Sequence, residues 1–518
     1  MRLSHLVRRA AQTSGRNLAT WCGGRRRNWI DVERRIARVA GGLAELGVRP
    51  GERVAILALN SDRYQEYYFA IPWAGAVFVP VNTRLAAPEM AYCLNDSGST
   101  VACVDDELRA MLPTLLPLVP GVRHVIYMGD GAVPAGMVGY EDLAANGPAI
   151  ADRGTDESDL LGIFYTGGTT GQAKGVMLSH RNMVTNSFDL VAALGLHENS
   201  RYLHAAPSFH IADGCNGLAV TLVGGSHMFM PRFDPVSLLQ TVERCRVECT
   251  ALVPTMVGAL VNHPDIGNYD LSSLRRIDYG AAPMPEAVVR KLLQVLPSVE
   301  LRQIYGQSEA SPCITCNTHE YHALEGPKAK LKSAGRALQS VELRIEDANG
   351  NPLPADRVGE ICLRGPHVML GYWNQPAQTE AALRGGWLHT GDSGYLDDDG
   401  FLFIVDRLKD MIVTGGENVY SIEVENAVYR HAEVLECAVI GVPDEKWGER
   451  VHAIVRLKPG AKADVAALIA HCRGLIAGFK CPRSIEFRVE PLPMSGAGKI
   501  LKAELRKPYW QGFQRGVN

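Results

Sequence analysis

The segment Tyr165-Thr166-Gly167-Gly168-Thr169-Thr170-Gly171-Gln172-Ala173-Lys174-Gly175 is the most informative in the chain. Its four glycines let the backbone turn N–H groups toward an anion at little steric cost. Three threonine hydroxyls and one lysine add donors suited to a polyphosphate. Gln172 rather than lysine follows Gly171, so this is not a Walker A loop. A merely flexible connection would not need Lys174. An apolar run at 161–165 precedes the loop and reads as a strand, and Ser179 behind it caps a helix reaching about Ala193. The segment therefore reads as a nucleotide phosphate loop.

Upstream of it, strand and helix signals alternate. Residues 54–59 form an apolar run ending at Asn60-Ser61, a helix cap, and a helical pattern continues through Tyr64, Tyr67, Tyr68 and Ile71. Strands are expected at 76–81, 101–104 and 125–128. Downstream come a helix at 285–296 and a strand at 301–305. Strands separated by helices argue for a mostly parallel sheet covered on both faces. The texture changes near Ser333: residues 341–345, the Asn349-Gly350 turn and residues 360–364 read as a hairpin, and Asp399-Gly400 supplies another turn before 401–405. Beyond Asp406 the pattern is a strand near Met411, a helix from Ser421, strands at 437–442 and 451–457, a helix at 465–476 and a strand at 485–489. The expected fold class is α/β: a large N-terminal domain, 1–406, made of two α/β layers (about 1–155 and 156–332) and a small β-rich unit (333–406), then a small α+β C-terminal domain, 407–518.

Composition narrows the function. With 46% hydrophobic and 21% charged residues the chain is an ordinary globular one, and its net charge of −3 offers no field for nucleic acid. Twelve cysteines are scattered, most in apolar stretches such as Ile361-Cys362-Leu363, which fits reduced thiols and a cytoplasmic location. Cys313 and Cys316 have the spacing of half a zinc site, but no second pair accompanies them. No run approaches the ~20 apolar residues of a membrane span; a peripheral membrane contact and a homodimer stay open. The basic stretch 1–16 reads as an amphipathic first helix, with Leu3, Leu6 and Val7 inward and Arg8 and Arg9 outward, in preference to an organelle presequence.

Five further segments follow in a telling arrangement. They are Gly280-Ala281-Ala282-Pro283, Tyr305-Gly306-Gln307-Ser308-Glu309, Trp387-Leu388-His389-Thr390-Gly391-Asp392, Asp406-Arg407-Leu408-Lys409-Asp410 and Pro493-Met494-Ser495-Gly496-Ala497-Gly498-Lys499-Ile500. With the phosphate loop, and from about residue 30 to 503, they resemble the adenylate-forming (AMP-binding) superfamily of acyl-CoA synthetases, luciferases and peptide-synthetase adenylation domains. The texture is most similar to bacterial medium- and long-chain fatty acyl-CoA ligases. The loop departs from the family's Tyr-Thr-Ser-Gly-Thr-Thr-Gly-x-Pro-Lys-Gly at Gly168 and Ala173, both small and neutral.

The resemblance implies an ATP-dependent acid–thiol ligase that makes acyl-CoA through acyl-AMP, with ATP, Mg²⁺ and coenzyme A. The expected acid is a medium- or long-chain fatty acid; the alternatives are an aryl acid of the cinnamate, ferulate or benzoate type, or a stand-alone enzyme that loads a carrier protein. ATP would meet Thr166, Gly167, Gly168, Thr169, Thr170, Gly171, Lys174, Gly280, Ala281, Ala282, Tyr305, Gly306, Ser308, Asp392 and Arg407, with Tyr305 on adenine, Ser308 on the α-phosphate and Asp392 on the ribose hydroxyls. Glu309 with Thr169 would hold Mg²⁺, a hard cation that wants carboxylate and phosphate oxygens. Lys499 would offset charge as a carboxylate attacks the α-phosphoryl group, since that step joins two anions. Catalysis is thus assigned to Lys499, Glu309 and His210. The acyl pocket is expected at His210, Met256, Tyr279, Gly280, Gly306 and Ala310, with Asp213 nearby. Coenzyme A would pass Gly415, Gly416, Glu417 and Lys480, and Lys409 would be the hinge of a mobile C-terminal domain.

Overall fold

A computed structural model describes residues 1–154, 156–166, 173–282, 284–326, 328–407, 410–414, 417–444, 446–495 and 500–511, with the backbone alone at 407 and 418. Gly167, Gly168, Thr169, Thr170, Gly171, Lys409, Gly415, Gly416 and Lys499, together with the Arg407 side chain, lie outside the described residues.

Two large sheets form the body of the molecule. The eight-stranded one runs in the order Gly371–Tyr372, Lys174–Ser179, Leu160–Thr166, Val77–Pro80, Arg53–Leu57, Ser99–Val104, His124–Tyr127, Val138–Gly139. The nine-stranded one is built from Leu18–Cys22 and Arg25–Asn28 plus seven strands between Arg201 and Ala337. Most pairs within both are parallel, as the alternation of helix and strand signals implies. A four-stranded antiparallel sheet (Glu342–Glu346, Gly359–Arg364, Leu388–Leu396, Leu402–Arg407) is the expected β-rich unit. Residues 412–488 supply a separate five-stranded sheet carrying the helices Ser421–Tyr429 and Val465–Arg473.

The sheets do not follow the expected divisions at 155 and 332. The hairpin Leu160–Thr166/Lys174–Ser179 completes the first sheet, because Phe78 pairs with Gly162 and a Cβ at 162 would overlap the Phe78 ring. The N-terminal hairpin Leu18–Cys22/Arg25–Asn28 instead joins the second sheet, where Thr20 pairs with His227. Strand Gly371–Tyr372 returns from the β-rich unit to the edge of the first.

Between the two large sheets lies the helix Asp62–Trp73, buried along its whole length. Ser61 caps it, accepting from the Tyr64 N–H at 3.2 Å. Its tyrosines pack together, Tyr68 edge-on against Phe78 with ring centroids 5.0 Å apart, and the Tyr67 and Tyr68 hydroxyls donate to the Val54 and Ser208 carbonyls. Its carboxylates are buried too: Asp62 is matched by Arg25 and Arg27, and Glu66 by Arg35. Arg35 also reaches Glu141, and Arg63 joins from the other side at 2.7 Å. The first helix, Ser4–Thr13, forms as expected, with Leu3, Leu6 and Val7 fully buried and Arg8 and Arg9 outward. Cys313 and Cys316 are both buried in one strand, Cys313–Asn317. No helix among the described residues is long and apolar enough to cross a membrane.

Candidate active site

The hairpin that carries the phosphate loop is held in register to its tip, with Tyr165 opposite Gly175 and Thr166 opposite Lys174. The Thr166 hydroxyl donates to the Lys174 carbonyl at 3.5 Å. Tyr165 anchors the hairpin rather than facing a ligand: its hydroxyl donates to Asp96 Oδ2 at 2.6 Å, and burial with Asp96 pushes that hydroxyl's pKa up. On the outer edge, strand Gly371–Tyr372 pairs with Met177 and Val176, and Asn182 Nδ2 grips the carbonyls of Pro366 and Val368 just before it.

This edge strand places Tyr372 at the centre of the site. Lys174 Nζ stands 4.9 Å from the centroid of the Tyr372 ring, and the Tyr372 hydroxyl donates to Glu309 Oε1 at 2.9 Å. Burial and the Glu309 charge push the Tyr372 hydroxyl's pKa up, so it stays a donor. One tyrosine therefore spaces a cation from a carboxylate beside the loop, which is the pairing a polyphosphate and its counter-ion need. Nothing in the sequence around Gly371-Tyr372 marked it, because its role comes from strand pairing across nearly 200 residues.

The second element of the site is the end of strand Glu300–Gly306. Gly306 is required there, because a Cβ would overlap the Pro312 carbonyl. Tyr305 donates its hydroxyl to Asp392 Oδ2 at 2.8 Å, and both residues are largely buried. Asp392 in turn is the register partner of Arg407. Three residues from three separate motifs thus converge. Beside them, Gly280 ends strand Arg276–Gly280 and Ala281 turns out of it with φ of 66°, a left-handed conformation costly for a residue with a Cβ. Ser308 and Glu309 lie in the short turn Ser308–Ala310.

The expected acyl residues divide. His210 caps the helix Ile211–Val223, its Nδ1 accepting from the Ala212 N–H at 3.4 Å. The loop in front of it is clamped by Asn60, which donates to the carbonyls of His204 and Ala206 and accepts from the Ser208 N–H at 2.7 Å. Met256 lines a cleft of about 420 Å³ together with Pro207, Phe209, Phe233 and Val253. Arg84 and Arg232 also line it, and Met494 enters it from the C-terminal region. Tyr279 is buried, its hydroxyl 2.9 Å from His322 Nε2, and Ala310 is fully buried in the main core. Asp213 turns away from any pocket: it is engaged inside by His204, Tyr202 and Ser208. An acidic residue three positions after His210 looks like a pocket wall in sequence, but helical geometry sends it into the core.

In the C-terminal region, Glu417 opens the strand Glu417–Val419 and is exposed. Lys480 Nζ is engaged by both oxygens of Glu423 at 2.8 and 2.9 Å, so its charge is already matched by a carboxylate. Arg84 reaches across to the Ser495 carbonyl, immediately before the glycine–lysine loop, at 3.4 Å.

The comparisons with known proteins agree with this geometry. Residues 6–373 match the family model described as AMP-binding enzyme, and residues 423–499 match the AMP-binding enzyme C-terminal domain. Feruloyl-CoA synthases from Amycolatopsis sp and Streptomyces sp are each 41% identical over 97% of this chain and 98% of theirs. A long-chain-fatty-acid–CoA ligase from Thermus thermophilus is 37% identical over 93% of this chain and 90% of its own. Among solved structures, the anthranilate CoA ligase AuaEII in complex with anthranoyl-AMP superposes with a TM-score of 0.92 at 28% identity, covering 99% of this chain and 98% of that one. The chain belongs to the AMP-binding enzymes, as an adenylate-forming acyl-CoA synthetase that uses ATP, Mg²⁺ and coenzyme A.

Proposed function

We propose that the acid activated here is a flat aromatic one of the hydroxycinnamate type. The cleft carries this reading: it is compact, at about 420 Å³, and presents Phe209 and Phe233 beside Pro207, Val253 and Met256. The feruloyl-CoA synthases, more similar to this chain than the Thermus ligase is, support the same class. A medium- or long-chain fatty acid is the second reading, favoured by the apolar side chains of Pro207, Val253 and Met256 in the cleft and by that Thermus relative.

In the first half-reaction the carboxylate attacks the α-phosphorus of ATP and pyrophosphate leaves. We assign Lys174 and the threonine–glycine loop to the phosphates, Tyr305 and Asp392 to the nucleoside, and Lys499 to the charge that grows as two anions join. Glu309 fits a hard cation, being a partly exposed carboxylate beside the loop that accepts a hydroxyl from Tyr372; the Mg²⁺ it would hold offsets phosphate charge. In the second half-reaction the thiol attacks the acyl carbonyl and AMP leaves. His210 borders the carboxylate in this scheme, and Gly415 and Gly416 leave room for the thiol arm. Residues 407–518 act as the mobile domain, hinged at Lys409, with Asp406 accepting from the Ser421 N–H and hydroxyl at 2.6 and 2.7 Å across that boundary. Twelve unpaired, buried cysteines support a cytoplasmic location.

The deciding experiment incubates the protein with MgATP and acetate, octanoate, palmitate, benzoate or ferulate, with and without coenzyme A, and follows AMP and thioester by mass. The expected result is a coenzyme A-dependent thioester with ferulate at the highest kcat/KM. A preference for palmitate or octanoate would overturn the aromatic assignment in favour of the second reading. Accumulating ferulate adenylate that coenzyme A leaves untouched would make a carrier protein the acceptor.

A further inference from the structure

The four-stranded sheet holds a polar cluster that the nucleotide site does not use. Its register puts Glu346 opposite Glu360 and Cys362 opposite His389, so four ligand-type side chains share one face of three adjacent strands. Cys362 Sγ lies 3.3 Å from His389 Nδ1, the same nitrogen is 2.9 Å from Glu360 Oε2, and His389 Nε2 is 4.0 Å from Glu346 Oε2. One ligand atom each from Glu346, Cys362 and His389 falls within 4.8 Å of the others. Glu346 and Cys362 are buried, at 3% and 0% exposure, unlike the surface carboxylates that cluster without consequence.

These separations suit a tetrahedral ion. With zinc–sulfur near 2.3 Å and zinc–nitrogen near 2.0–2.1 Å, a tetrahedral sulfur-to-nitrogen edge is about 3.5 Å, close to the 3.3 Å found between Cys362 and His389. Glu346, whose Oε1 accepts from Arg344 Nε at 2.6 Å, supplies a carboxylate oxygen within 4.8 Å of the other two ligand atoms, and Glu360 or water can take the fourth vertex. Access lies on the Arg384 side, where that half-exposed guanidinium now covers Glu360 at 2.8 Å. Sulfur and imidazole ligands select a borderline-soft cation and are poor partners for Mg²⁺.

We propose that Glu346, Cys362 and His389 form a binding site for a thiophilic divalent cation of the zinc class, separate from the Mg²⁺ position at Glu309. Binding forms a metal–sulfur bond, and the thiol proton passes to solvent. The site shares its strand with the nucleotide pocket: Glu360 Oε1 accepts from the N–H of Gly391, the residue before Asp392.

The test titrates reduced, chelator-treated full-length protein with Co²⁺ under anaerobic conditions, without ATP. Expected is one Co²⁺ per chain with a thiolate-to-metal charge-transfer band and tetrahedral visible bands, displaced by equimolar Zn²⁺ and unaffected by excess Mg²⁺. Cys362→Ser should abolish the charge-transfer band, while Cys481→Ser, outside the cluster, should leave it intact. Glu346→Gln, which keeps the shape of the side chain, should weaken Co²⁺ affinity roughly tenfold or more; it carries the test if Cys362→Ser does not fold, as judged by circular dichroism. No charge-transfer band in the parent protein, a band that survives Cys362→Ser, or unchanged affinity in Glu346→Gln would each overturn the proposal.

Discussion

The charges around Glu66 and those around Tyr372 use the same side-chain types to opposite ends. Around Glu66, four arginines (Arg25, Arg27, Arg35 and Arg63) meet Asp62, Glu66 and Glu141, each through a guanidinium fork, and Arg25 and Arg63 also pair with Asp130 at the rim. Around Tyr372, Lys174 stands over a ring and Glu309 accepts one hydroxyl among the described residues. Saturated charges fix a fold, because each has its partners before any ligand arrives and removing one strands another in low dielectric. Charges with bonding capacity to spare are the ones that can receive a phosphate and its cation. Net charge or burial alone would not separate the two groups; counting partners does.

Removing a charge from each group should show this contrast most directly. Arg35→Ala strips Glu66, which is fully buried, of a bidentate partner. It should cost about 3–5 kcal/mol of stability, read by urea unfolding, with kcat per folded molecule nearly unchanged. Lys499→Ala should do the reverse, slowing adenylation by roughly 10²-fold with an unaltered unfolding midpoint. Thioester formation from supplied acyl-AMP should be nearly spared, and equal loss in both half-reactions would remove Lys499 from its assigned role. The smallest effect concerns pH. Burial pushes the Glu141 carboxyl up, but Arg35 and Arg63 outweigh it and bring its pKa from 4.5 down to about 2. A folded-state pKa below the unfolded one gives stability that is full above about 4.5 and lost as pH falls toward 2. The stability gap between the parent protein and Glu141→Gln should therefore be widest above pH 4.5 and close below it; a gap that persists at pH 2 would mean Glu141 acts through packing.

Most elements could be read from local pattern. The Ser61 and Ser179 caps, the inward face of the first helix and the turn at Asn349-Gly350 each depend on residues within a few positions of one another. What escaped is pairing at long range. Nothing local tells residues 160–179 to complete the first sheet, or residues 18–28 to add to the second. Tyr372 escaped for the same reason. Among the site residues, the convergence of Tyr305 and Asp392 followed the motifs, whereas Asp213 misled because sequence proximity to His210 says nothing of which way a helix turns its side chains.

The interleaving of the two sheets also sets a timetable for synthesis. Thr20 must wait for His227, and Val176 for Tyr372, each about 200 residues later. At roughly 5–20 residues per second on the ribosome, either wait lasts on the order of 10–40 s. Throughout it the N-terminal hairpin and the edge of the phosphate-loop hairpin remain unpaired, as open templates for a neighbouring nascent chain. Conditions that slow elongation between residues 180 and 370 should thus raise aggregation of newly made protein without altering the stability of molecules already folded.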